Sequence, residues 1–240
     1  VMPGMIDAHC HIGVFGEGTG FYLLDGNENT DPATPHIRGL DAVNPQDMAF
    51  AEALEGGVTT VCTGPGSTNV IGGTFAILKT YGQSADEMAL VPDAALKVAL
   101  GENPKRVYGS QKKTPMTRMA IAALLRQALT DAGLYQEKDG KRNLGMETLQ
   151  RVVRREIPLK IHAHRADDIL TALRIVKEFN LLCSLDHCTE GHLVLPQIQA
   201  AGVPVILGPW ISCRSKIELA KQSMRAPALF AKAGIPFAFM

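Results

Sequence analysis

The sequence lacks the features that would assign the protein to a membrane or to nucleic acid. No apolar run approaches the roughly 20 residues needed to cross a bilayer, and the first residues have neither the basic start nor the apolar core of a signal peptide. Lys and Arg total 24 and Asp and Glu also total 24, so neither sign of charge is in excess. No overall field would draw such a protein to nucleic acid or to an anionic surface. We therefore expect a cytoplasmic protein whose partner is a small molecule.

Cysteine is also scarce, and nucleotide-binding loops are missing. The five cysteines are dispersed and show no CxxC spacing: Cys10, Cys62, Cys183, Cys188 and Cys213. An odd, scattered set is not typical of a disulfide framework, so we expect reduced thiols. No predicted strand runs into GxGxxG or GxxxxGK[ST], the loops that cradle phosphates.

What the chain does contain is an alternation of short apolar runs with amphipathic segments. Seven runs bounded by Gly and Pro predict buried strands, namely 5–8, 58–62, 96–100, 159–161, 182–185, 203–207 and 235–239. Helices are predicted over 44–57, 116–133, 166–180, 189–202 and 215–234. Strand followed by helix, repeated, favours a parallel sheet covered by helices, and we predict one (β/α)8 barrel over residues 1–240.

The predicted barrel is incomplete in two places. Only seven strands are recognisable, and the interval between Leu100 and Leu159 leaves a fourth strand short, irregular or absent. The sequence also ends at Met240, where the eighth strand should finish. The glycine-rich segment "GPGSTNVIGGTFAI" (64–77) lacks the lysine of a phosphate loop, and we interpret it as a loop after the second strand that lines the site.

Histidine is concentrated at one end of the predicted barrel. Five of the seven histidines follow or end predicted strands: His9, His11, His162, His164 and His187. Residues i and i+2 of a strand point to the same face, so His9 and His11 can face one cation. The carboxyl ends of the strands are where barrel enzymes place their chemistry, and neutral imidazole is a usual ligand of zinc. Cys10, between the two histidines, would point away from them and is predicted to be a buried apolar residue.

Several stretches resemble the amidohydrolase superfamily of metal-dependent hydrolases. "PGMIDAHCHI" is similar to its strand-one signature, "EALEGGVTTVCTGPG" to its second strand, "IPLKIHAHRADDILTALRIVKEFN" to its fifth strand and following helix, and "LDHCTEGH" to its sixth strand. The likeness runs through the whole sequence and is greatest to the imidazolonepropionase-like branch. It implies a barrel that holds one or two divalent cations, most often zinc.

The resemblance also assigns metal ligands. His9 and His11 match the strand-one ligands and His187 the strand-six ligand, while the strand-five ligand is His162 or, less favoured, His164. Some members use a Glu after strand three, which makes Glu102 a candidate ligand. Others use a carboxylated Lys at the end of strand four, and we expect no Lys in a clear fourth strand here.

The chemistry that the resemblance implies is hydrolysis of a C–N bond in an amide, cyclic amide or peptide-like substrate. A divalent cation with an open position lowers the pKa of bound water to roughly 7. His164 or Arg165 would stabilise the oxyanion that develops at the carbonyl. Alternatives are a deacetylase or deaminase of the same superfamily, or a barrel that has lost catalysis and binds a ligand. A homo-oligomer is compatible with each.

Two parts of the family pattern are expected outside the printed residues. The general base of the family, an Asp after strand eight, would fall within one or two residues of Met240. The small β-sandwich that flanks the barrel in the family is not represented in the sequence. We therefore expect residues 1–240 alone to bind metal weakly and to turn over poorly.

Overall fold

A computed structural model describes residues 2–16, 24–137, 141–210 and 216–240. The strands are β1 Met5–Cys10, β2 Val58–Thr63, β3 Ile71–Lys79, β4 Ala89–Ala99, β5 Leu159–Ala163, β6 Cys183–His187, β7 Val205–Leu207 and β8 Phe237–Phe239. The α-helices are α1 Met48–Glu55, α2 Ala85–Met88, α3 Glu102–Ser110, α4 Arg118–Leu134, α5 Leu144–Val153, α6 Ala166–Glu178, α7 Leu195–Ala201 and α8 Ala226–Lys232. Short 3-10 helices occupy Gly39–Ala42, Gly191–Leu193 and Ile217–Leu219.

The strands form one eight-stranded sheet in sequence order from β1 to β8. β3 runs antiparallel to both of its neighbours, whereas every other neighbouring pair is parallel. β8 lies beside β1, so the sheet curls into a nearly closed barrel with helices between strands. The predicted (β/α)8 class is confirmed, in its incomplete form.

The strand that we did not predict from the sequence is β3. We had expected the unrecognised strand between Leu100 and Leu159, and that placement was wrong. In its described residues, 101–137 and 141–158, the interval between Leu100 and Leu159 holds α3, α4 and α5 and no strand. The segment 64–77, predicted as a loop, contains most of β3. Its glycines, which suggested a loop, permit close backbone approach: Gly73 has φ +155° and a Cβ there would lie 2.7 Å from the Ile37 carbonyl oxygen.

Helix caps explain why several predicted helices form where they do. The Asp47 side chain accepts from the Ala49 N–H at the start of α1, and the Thr117 hydroxyl accepts from the Ala120 N–H at the start of α4. The helix predicted over 215–234 was wrong as one element, because the described part of that stretch contains a 3-10 turn followed by the short α8.

The apolar core lies mainly between the barrel strands and the surrounding helices, where Leu125, Leu159 and Ile169 belong to one buried cluster. The inside of the barrel is different, because Lys97, Lys160 and Asp186 are all buried there, with both lysine Nζ atoms over the Phe75 ring and Lys160 paired with Asp186. Buried charges are costly unless they are paired or bind a cation. These buried polar residues lie next to the candidate site.

Among the described residues, no helix has both the length and the apolar character needed to cross a membrane.

Candidate metal centre

The five strand-end histidines meet inside one end of the barrel. The ring centroid of His187 lies 5.0 Å from that of His9, 4.5 Å from that of His162 and 4.9 Å from that of His164. The His9 and His11 centroids are 5.1 Å apart. Residues separated by 178 positions in the sequence are therefore neighbours, because parallel strands bring their carboxyl ends to the same rim.

Most of these rings are held by a partner at Nδ1. His11 Nδ1 lies 2.8 Å from the Gly64 carbonyl oxygen, and His187 Nδ1 lies 2.9 Å from the Gly208 carbonyl oxygen. His164 Nδ1 is 2.8 Å from the Thr189 hydroxyl. When Nδ1 donates to a carbonyl, Nε2 is the bare nitrogen that can bind a cation.

Asp186 fixes the orientation of His9 in the same way. His9 Nδ1 donates to the Asp186 carboxylate over 2.7 Å, and Lys160 Nζ lies 3.2 Å from the same carboxylate oxygen. Burial alone would raise the pKa of Asp186, but Lys160 and His9 hold that pKa well below its usual range. Asp186 is therefore an anion that orients a ligand candidate, the arrangement that metal-binding histidines usually have.

The histidines are kept neutral by burial. Burial lowers the pKa of His9 and of His164 to about 3, and that of His11 to about 4, with nearby Lys97 acting in the same direction. Neutral imidazole is the form that binds metal ions.

His162 is buried without hydrogen-bond partners. It is 3% exposed, and neither of its ring nitrogens has a hydrogen-bond partner. A buried polar group left without a partner costs about 1–3 kcal/mol. Imidazole nitrogens without a partner, beside the rings of His164 and His187, are the donor chemistry of a zinc site, so the residues present fit such an ion.

Lys97 corrects our expectation that the fourth strand carries no lysine. It lies on β4, the fourth strand of the barrel, with its side chain fully buried and its Nζ 3.4 Å from His9 Nε2. Burial lowers the pKa of Lys97 to about 7 although Asp186 opposes the shift. A lysine inside the apolar run "AALKVAL" was the signal that could have revealed it.

The predicted ligand Glu102 begins α3 beside a carboxylate that the sequence did not single out. Glu218 accepts from the Glu102 backbone N–H over 2.6 Å, and one carboxylate oxygen of each residue is buried without a partner. Glu218, not Glu102, offers a ligand atom within 4.8 Å of ligand atoms of His162 and His164. Glu218 comes from the 3-10 turn after β7, where nothing in the local sequence marks it.

Arg165 lies at the start of α6, where its guanidinium donates two hydrogen bonds to the carboxylate of Asp167. Its side chain is 41% exposed. The structure gives it no contact with the histidine cluster, so its role at the oxyanion stays a prediction.

The described cysteines take no part in the cluster. Burial raises the pKa of the Cys10 thiol to about 12 and that of the Cys183 thiol likewise, so both are protonated and unreactive at neutral pH. Cys10, Cys62, Cys183 and Cys188 are free thiols, as the sequence indicated. Cys213 lies outside the described residues.

Comparison with known proteins gives two relatives, and no family model matches the chain. A structure of an amidohydrolase from Thermotoga maritima MSB8 superposes with a TM-score of 0.96 at 43% identity, over 100% of this chain and 65% of that one. A protein named amidohydrolase tasK, from Hapsidospora irregularis, is 30% identical over 229 residues, which cover 81% of this chain and 23% of that protein.

This chain therefore spans about two thirds of the Thermotoga structure and about a quarter of the fungal relative. Both relatives carry the same family name, and the nearly complete overlap in three dimensions includes the histidine-bearing strands. The chain belongs to the amidohydrolase superfamily.

Proposed function

We propose that the protein is a metal-dependent hydrolase that cleaves a C–N bond in a small amide-like substrate. The observation that carries the proposal is the cluster of five imidazoles at the carboxyl end of the barrel strands, four of them oriented through Nδ1 and all kept neutral by burial. His9, His11 and His187 would hold the cation, with His162 or His164 completing the set.

A divalent cation so held supplies an activated water at neutral pH and polarises a carbonyl oxygen. The protein's own residues prepare that site. Asp186 and the Gly64 and Gly208 carbonyls fix which nitrogen each imidazole presents. Lys97 is the candidate for the carboxylated lysine of the resembled family, since its buried amine of lowered pKa can form a carbamate with carbon dioxide. Zinc is the metal that three imidazoles favour.

A cleft of about 1030 Å³ could take the substrate; none of the five clustered histidines lines it, and it adjoins the cluster through Phe15. It is lined by Phe15, His36 and Arg38 among others, and the Phe15 ring lies 5.4 Å from that of His11. The volume is at the upper end for small-molecule sites. Arg38, at the wall of the cleft, lies 3.7 Å from a carboxylate oxygen of Asp41 and 3.4 Å from one of Asp93, so a carboxylate on the substrate would compete with these pairs.

The test is an assay of hydrolysis with a panel of N-acyl amino acids, dipeptides and cyclic amides. The amount of amine released is measured for each substrate. We expect activity that is removed by a chelator and restored by zinc. His11→Asn should lose both bound zinc and activity, whereas His192→Asn, a histidine on the 3-10 turn Gly191–Leu193, should keep both. Activity that survives chelation, or that His11→Asn retains, would refute the proposal.

Within the superfamily, ammonia released from an amidine or aminopurine-like substrate would instead indicate a deaminase, and acetate a deacetylase. Zinc bound without turnover of any of these would favour the ligand-binding barrel. The imidazolonepropionase-like branch, the barrel domain over 1–240 and a homo-oligomer remain predictions.

A further inference from the structure

We propose that a groove at the amino-terminal end of β6 and β7 binds an amphipathic carboxylate, of the chemical class of a medium-chain fatty acid. The groove has a volume of about 970 Å³ and lies between α6, α7 and the segments that lead into the two strands. Cys183, which lines it, begins β6, whereas His187 of the candidate metal centre ends that strand. The groove is therefore separate from the metal centre, and its ligand goes beyond the proposed function.

Three cationic side chains line the groove, namely Arg155, Arg174 and Lys177. Among the described residues, none of the three forms an ion pair, and no Asp or Glu lines the groove. Glu178, next to Lys177 in the sequence, pairs with Arg126 instead. Because the whole chain has equal numbers of basic and acidic residues, this is a local excess of positive charge, which attracts an anionic group.

The Arg155 guanidinium is held beside the groove by the segment that enters β6. Its Nη1 donates to the Asn180 carbonyl oxygen over 3.1 Å and to Asn180 Oδ1 over 2.7 Å. In the described part of the structure, Nη2 and Nε of Arg155 have no hydrogen-bond partner. A guanidinium fixed through one nitrogen, with its other two nitrogens free, can bind a carboxylate through two parallel hydrogen bonds. Because the guanidinium is already held in place, binding orders it little further.

Beside the cationic groups, the groove is mainly apolar. Leu170, Arg174 and Lys177 share one face of α6, because they lie at positions i, i+4 and i+7. Leu170 and Leu173 are half-buried, and Leu182 is 38% exposed. Covering such leucine surface with an alkyl chain is favourable, because it removes apolar area from water. Cations next to exposed leucines suit a ligand that has an anionic head and an alkyl chain.

The size of the groove suits a small molecule. A volume of about 970 Å³ is at the upper end of the range for small-molecule sites. Ala200, Ala201 and Gly202, at the end of α7, line one wall. A Cβ on Gly202 would meet no atom within 4 Å. These small residues leave room for an alkyl chain, and a large side chain in their place would occupy that room.

The experiment measures the binding of decanoate to the unaltered protein by equilibrium dialysis. We expect saturable binding of one decanoate per chain. Decyltrimethylammonium, which has the same alkyl chain and the opposite charge, should not bind, and neither should acetate, which lacks the chain. Decanoate should still bind to His11→Asn, because the groove is remote from the metal centre. This variant separates the groove from any carboxylate held by a metal ion at the histidines.

Arg174→Gln should weaken decanoate binding about fivefold, because it removes one partly exposed ionic contact. Arg154→Gln is the matched control. Arg154 is also exposed and is adjacent to Arg155, but it donates to Gln150 and does not line the groove. Its substitution should leave the affinity unchanged. Ala201→Phe should abolish binding, because the added ring would fill the groove.

Absence of saturable decanoate binding would overturn the proposal, and so would equal binding of decyltrimethylammonium. Binding that Arg174→Gln and Ala201→Phe both leave unchanged, or that His11→Asn removes, would also overturn it. Loss in His11→Asn would place the carboxylate at the histidines and leave the proposed function standing. Dimerisation that Ala201→Phe abolishes would make a second copy of the chain the occupant and overturn the small ligand. If Ala201→Phe fails to fold, as judged by circular dichroism, Lys177→Gln provides the second comparison with Arg154→Gln.

Discussion

Asp186 shows how much a single buried residue controls in this barrel. Its carboxylate orients His9, pairs with Lys160 and accepts from the Ser184 hydroxyl. Removing its charge would leave Lys160 buried without an ionic partner and His9 free to present either nitrogen. Such supporting partners of metal-binding histidines typically contribute 10- to 100-fold in metal affinity.

We expect Asp186→Asn to weaken zinc binding about 10- to 100-fold, measured by competition with a chromophoric chelator on folded protein. Ser184→Ala is the control, since it removes only a hydroxyl that donates to Asp186 and should change affinity much less. Unchanged affinity in Asp186→Asn would show that His9 is not a ligand.

At the scale of single residues, the sequence predicted the clustered histidines but not Lys97 and Glu218. The i, i+2 spacing on a strand is a local signal, and His9 and His11 lie where that spacing predicts, while His187 lies at the end of its predicted strand. Lys97 was missed because the strand that carries it was counted third. Glu218 was missed because its place depends on a backbone N–H 116 residues away, at Glu102.

At the scale of elements, the glycine between β4 and α3 leaves room for the carboxylates of Glu218 and Asp168. Gly101 has φ +91°, and a Cβ there would lie 2.6 Å from a carboxylate oxygen of Glu218 and 2.9 Å from one of Asp168. Only glycine both adopts this backbone readily and leaves the carboxylates in place.

Gly101→Ala should therefore lower the free energy of unfolding by about 1–3 kcal/mol, measured with urea. Gly133→Ala is the counterpart, because Gly133 lies in α4 with nothing within 4 Å of its would-be Cβ. Gly133→Ala should raise the free energy of unfolding by roughly 0.5–1 kcal/mol. Equal effects from the two substitutions would contradict the packing described for Gly101.

Most elements could be predicted because caps and periodicity are local. α1 and α4 begin at side-chain caps that the sequence shows, and both were predicted. β3 was missed for a physical reason, since Gly73 permits the close approach of the chain at Ile37 and Gly72 leaves room for the Lys97 side chain, and neither glycine forms a turn. The stretch after β7 was predicted as one helix. The structure instead has a 3-10 turn, which carries Glu218, followed by the short helix α8.

At the scale of the whole molecule, a set of buried neutral histidines makes stability depend on pH. His9, His11 and His164 have pKa values of about 3 to 4 in the folded protein and about 6.5 when unfolded. Between these values the unfolded chain binds more protons, so stability is fully present above pH 6.5 and is lost as pH falls toward 4.

For the metal-free protein we expect the free energy of unfolding to fall by about 1.4 kcal/mol per pH unit for each such histidine below pH 6. Buried Asp168 and Glu218, whose pKa values burial raises, act in the opposite sense. Urea unfolding of the unaltered protein and of His11→Asn, at pH 7 and pH 5, isolates the contribution of His11. A smaller pH dependence in His11→Asn is expected; an identical one would contradict a buried, neutral His11.

The central claim is that the five strand-end histidines form a metal centre, and X-ray absorption at the zinc edge tests it most directly. Zinc-loaded protein should show nitrogen or oxygen neighbours at about 2.0–2.1 Å with the multiple scattering of several imidazoles. A sulfur shell at about 2.3 Å, or a zinc spectrum without the multiple scattering of imidazoles, would contradict the account.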